Sequence, residues 1–76
     1  MNNVRREQIY EVINRLQDLE CEIEFIKDEE EECLDNIPDN LRSSETYQKA
    51  EEAVENLDIA LEYISDLISF LDLSAI

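Results

Sequence analysis

Glycine is absent from this chain, proline occurs once, at Pro38, and there is neither histidine nor tryptophan. Without glycine, the tight left-handed turns of β-hairpins and bulges lose their natural residue, and the remaining Ala, Leu, Ile, Glu and Asp fall in helical patterns. The fold class is read as all-α. The lack of histidine removes the usual base for a nucleophile, the Glu-x-x-His motif of di-iron bundles and half of the Cys/His zinc vocabulary. No enzyme and no cofactor is expected. The two cysteines, Cys21 and Cys33, lie on one predicted helix roughly 18 Å apart at the α-helical rise, beyond disulfide reach. As free thiols they fit a reducing cytoplasm, with Cys21 turned outward and Cys33 in the packing seam.

Long apolar runs are missing too. Ile59 to Ile76 is interrupted by Glu62, Asp66 and Asp72, so no membrane span is expected, and Arg5 and Arg6 are not followed by the apolar core of a signal peptide. Positive charge is scarce: 6 Lys and Arg stand against 21 Asp and Glu, a formal net charge of −15. That balance excludes direct nucleic-acid or anionic-membrane binding through a basic surface and leaves neutral or basic proteins, or identical copies, as partners. The acidic run Asp28-Glu29-Glu30-Glu31-Glu32 has neither the glycine nor the alternating ligands of a calcium loop. It reads as a solvated helix end.

What the chain does have is periodicity. From Tyr47 to Leu71 the apolar residues Tyr47, Ala50, Val54, Leu57, Leu61, Ile64, Ile68 and Leu71 alternate in steps of three and four, the a and d positions of a heptad. A matching stripe runs through Ile9, Val12, Leu16, Leu19, Ile23 and Ile26, continuing to Glu30 and Cys33. Between them, Asn36-Ile37-Pro38-Asp39-Asn40 is the one strong break, because proline disfavours helix at the residue before it and Asp and Asn form turns. The single domain, residues 1–76, therefore divides into a helix over 3–35 capped by Asn2 or Asn3, a turn over 36–43, and a helix over 44–73 capped by Ser43 or Ser44. Ile37 and Leu41 are expected to fold back over the end of the pair. If the chain reverses about Asn40, Ile26 faces Val54, Ile23 faces Leu57, Leu19 faces Leu61, Leu16 faces Ile64, Val12 faces Ile68 and Ile9 faces Leu71. Each d position then meets an a position, as in an antiparallel two-helix hairpin of coiled-coil type. The same register sets Arg5 and Arg6 beside the unpaired carbonyls ending the second helix.

A hairpin leaves apolar residues unused. Ala53, Ala60 and Leu67 form a second stripe on the second helix, and Tyr10, Ile13, Phe25, Ile59, Tyr63, Phe70 and Leu73 also lie off the seam. Each large side chain left exposed forgoes about 1.5 to 3 kcal/mol. The candidate interface is accordingly Tyr10, Ile13, Ala53, Ala60, Tyr63, Leu67, Phe70 and Leu73, covered by a second copy in a four-helix-bundle homodimer. The competing expectation is a monomer whose last turn, Leu73, Ala75 and Ile76, curls over part of that patch.

Ile37-Pro38-Asp39-Asn40-Leu41, followed by Ser44, Tyr47, Ala50 and Ala53, carries a resemblance. The pattern I-P-x-N-L, a serine, then Tyr-x-x-Ala-x-x-Ala resembles short acidic helical proteins of anaerobic gut bacteria and their mobile elements, and implies no activity. Three functional classes follow from the residues, of which the third, a minor subunit or cation-binding accessory of a larger assembly, has no specific residue in its favour. The first is a small, self-associating protein–protein interaction module. The second is an acidic mimic of nucleic acid, from a phage or mobile element, inhibiting a nuclease or DNA-binding protein through Glu29, Glu30, Glu31 and Glu32.

Overall fold

The computed structural model describes residues 1–76. Helix α1, Asn3–Asp35, and helix α2, Glu45–Ser74, pack antiparallel on each other around a connection containing a short 3-10 turn, Asp39–Leu41. Local chemistry sets each end. The Asn2 carboxamide oxygen accepts the Arg5 N–H at 2.8 Å, and the Ser44 hydroxyl accepts the Tyr47 N–H at 3.2 Å. Pro38 is extended (φ −59°, ψ 146°), and the Leu41 N–H donates to its carbonyl at 2.9 Å. No residue has positive φ, which is how a chain without glycine reverses direction. Arg42 stiffens the connection: its guanidinium meets the Asp39 carboxylate at 3.1 Å and lies 5.9 Å from the Tyr47 ring centre. Ile37 is half-buried against the helix pair, whereas Leu41 stays largely exposed and does not close over it.

At the open end Arg6 performs the capping its position suggested. Its Nε donates to the Ala75 carbonyl at 3.1 Å, and its two Nη atoms donate to the Asn3 side chain and the Met1 carbonyl. An arginine in a helix first turn opposes the macrodipole, and here it serves the C-terminus of the other helix, where cations are favoured. Arg5 makes no such contact.

The α2 stripe lies in the seam throughout: every residue of the Tyr47-to-Leu71 series is half-buried. On α1 the stripe needs correction. Ile9, Val12, Leu16, Ile23 and Glu30 face α2, but Leu19 and Ile26 are 49% and 53% exposed and Cys33 is exposed, while Ile13, Glu20, Lys27 and Leu34 turn inward instead. A straight α-helix drifts by about 20° per heptad relative to a seven-residue repeat. That drift carries the row Val12, Leu19, Ile26, Cys33, which starts at the edge of the contact line, out of the seam after Val12, while the row Ile9, Leu16, Ile23, Glu30 starts nearer the far side and stays within it.

The result is a rod 59 × 15 × 12 Å with a radius of gyration of 17.4 Å, against about 11 Å for a compact domain of this length. Only Ile13 and Ala75 fall below a tenth exposed, at 7% and 6%. Ile13 is the deepest large side chain, and its replacement by alanine is expected to cost about 2 to 3 kcal/mol, read as a lowered thermal midpoint by circular dichroism. Phe25→Ala, on the outer face, should change stability by no more than about 0.5 kcal/mol.

Candidate interaction surfaces

A seam between two helices has two flanks, and this hairpin dresses them differently. On one flank Glu20, Glu24 and Lys27 of α1 meet Asp58, Leu61, Glu62, Ser65 and Asp66 of α2 along an open groove. Its organising contact is Lys27, whose ammonium lies 2.6 Å from the Asp58 carboxylate and 3.5 Å from that of Glu31. The hydrogen bond to Asp58 pushes the Lys27 ammonium above its ordinary value of 10.5, against a smaller opposing effect of desolvation, and the carboxylates' charges act in the same upward direction.

The other flank is apolar. At about 100° per residue, Leu19 and Ile26 stand one step back from Glu20 and Lys27, on the side away from the charged groove. Ala53, Ala60 and Leu67 likewise lie across α2 from Asp58 and Ser65. In the hairpin register Val12 is about level with Leu67, Leu19 with Ala60, and Ile26 with Ala53. Exposed Leu19, Ile26, Ala53, Ala60 and Leu67 make one strip along the rod, with Val12 half-buried at its edge where it meets the seam, and the largely exposed rings of Tyr63 and Phe70 extend it over the shoulder of α2.

This geometry redraws the expected interface. Ala53, Ala60, Leu67, Tyr63 and Phe70 share the apolar flank. Ile13 does not: it is buried against α2 inside the hairpin, because the contact line of α1 runs nearer to it than its heptad position implies. Tyr10 lies on the charged flank, in the row of Gln17 and Glu24, so it cannot join a surface with Leu67. Leu73 points away from the seam on the outer side of α2 and is 63% exposed. Leu19 and Ile26 are the members that periodicity missed; strict heptad spacing consigned them to the seam. The curled last turn is also corrected. Ala75 is buried beneath Arg6, but Ile76 and Leu73 stay exposed and shield nothing.

Glu29, Glu30, Glu31 and Glu32 occupy about one helical turn, so they point to all sides of α1. Glu30 and Glu31 are half-buried, Glu31 is engaged by Lys27, and only Glu29 and Glu32 are exposed. The four do not form one patch. Both cysteines are exposed and unpaired. No three carboxylates or thiols converge on a point that would hold a metal ion, and no helix is long and apolar enough to cross a membrane.

No protein-family model, curated protein or solved structure matches the chain.

The Lys27 tie sets a pH signature. Because its pKa is raised in the folded state, the stability it contributes is fully present below the ordinary lysine value and is lost as pH rises through the raised one. The expected outcome is a melting temperature that falls, as pH rises above the ordinary lysine value of 10.5, more steeply in the native chain than in Lys27→Met, followed by circular dichroism.

Proposed function

We propose that this chain is a non-catalytic interaction module whose first partner is a second copy of itself, docked on the flank formed by Val12, Leu19, Ile26, Ala53, Ala60 and Leu67. The observation that carries the reading is an imbalance of surface. The accessible area is 5884 Å², whereas a globular monomer of this mass exposes about 4,900 Å². The excess, about 1,000 Å², is close to the roughly 800 Å² that each partner loses in a standard stable interface. One side of the rod carries exposed apolar residues in which Leu19, Ile26 and Leu67 alternate with the small Ala53 and Ala60. A bundle formed there would place Ala53 and Ala60 where helices approach closely and would supply the interior that two helices alone lack. The charged flank and the outer faces would remain in water and keep the assembly dispersed.

The acidic mimic is the weaker reading, since its proposed carboxylates are spread around the helix. An apolar dimer has a distinct signature. Sedimentation at micromolar concentration should give twice the chain mass of 9.0 kDa, and the dimer should persist in molar salt. Leu67→Glu or Leu19→Glu places a charge in the interface twice per dimer and should weaken association by at least about 100-fold while leaving helicity largely intact. A monomer at high micromolar concentration, or association abolished by salt alone, would overturn the proposal.

A further inference from the structure

The apolar flank admits two symmetric ways of seating a second copy. With the two-fold axis along the rod, the loop ends lie side by side; with the axis across it, they lie at opposite ends. Both keep neighbouring helices antiparallel, so packing direction does not choose between them. Charge does.

Residues 20–60, the loop half of the rod, hold 15 of the 21 acidic residues and three of the six basic ones, a net −12, leaving −3 for the open half. Seating the loop ends together sets −12 against −12 within a helix diameter or two, comparable to the screening length of about 10 Å at ordinary ionic strength. Seating them apart sets −12 against −3.

The edge of the apolar strip on α1 points the same way. Just outside Val12, Leu19 and Ile26 run Gln8, Arg15, Glu22 and Glu29, changing from basic to acidic along the rod. Lys27, Arg42 and Lys49 each have a carboxylate partner within the chain, whereas Arg15 makes no ion pair and no side-chain hydrogen bond. An axis crossing the rod at the Leu19–Ala60 layer brings Arg15 beside Glu22 of the second copy, and does so twice. The same axis sets Val12 against Ile26 and, large against small, Leu67 against Ala53. It also falls near the middle of the 33-residue helix α1, so the two rods overlap over their whole length.

Resting on the self-association reading above, we infer that two copies pair with their loop ends at opposite ends of a four-helix bundle, about an axis at the Leu19–Ala60 layer, held in register by reciprocal Arg15–Glu22 pairs.

The test uses the full chain with Cys21→Ser and Cys33→Ser, Asn40→Cys carrying a spin label, and electron–electron dipolar spectroscopy. Loops at opposite ends predict a label separation near the rod length of 59 Å; loops together predict on the order of 20 Å from helix spacings of 8–10 Å. In parallel, Arg15→Glu and Glu22→Arg should each weaken the dimer about tenfold, and the double variant should restore it. A dimer with the short separation, or with no rescue in the double variant, overturns this arrangement and leaves self-association standing. A monomer in sedimentation overturns both.

Discussion

Two helices can touch along only one line, and everything distinctive about this molecule follows from that. Each helix is a cylinder about 10 Å across, and its neighbour covers only the stripe that faces it. A third helix would create an interior; two create a seam. Hence α2 can hold its entire apolar series half-buried without one of its residues reaching full burial. Apolar side chains beyond the stripe have nowhere within the chain to go. The rod's elongation and its excess of accessible surface are two measures of the same geometric limit.

Within that limit, the flanks of the seam divide the work. Lys27 is half-buried at the seam with its ammonium on Asp58 and Glu31, so one cation ties both helices on the charged side. Exposed ion pairs contribute little individually, yet this one bears on the rotation of α1 about its own axis. Turning α1 to bring Lys27 inward carries Leu19 and Ile26 outward on the opposite side. Polar closure of one flank and apolar exposure of the other are therefore a single structural fact. Arg6 does the corresponding work at the open end, donating to the carbonyl of the buried Ala75 that caps α2.

Much of this was legible in the residues. Asn2 and Ser44 are cap residues in cap positions, Pro38 disfavours helix before it, and Asp39 and Asn40 are turn formers in the turn. These are contacts within a few residues, and local chemistry reads well from local sequence. The candidate surface was legible on α2, where Ala53, Ala60 and Leu67 repeat outside the seam, and illegible on α1. There Leu19 and Ile26 fit the heptad as well as any seam residue, and Ile13 looked superfluous. Periodicity gives the angle between residues on one helix, but not where zero lies.

The sequence by itself determined that there are two helices, where each begins and ends, that they fold back on each other, and which stripe of α2 meets α1, because caps, a proline break and an apolar period act over short distances. Only the tertiary structure decided how far α1 is turned about its axis, and with it the burial of Ile13 and the exposure of Leu19 and Ile26. That angle follows the small mismatch between a straight helix and a seven-residue repeat, and it comes with contacts such as Lys27 with Asp58 and Arg6 with Ala75 that join residues far apart in the chain.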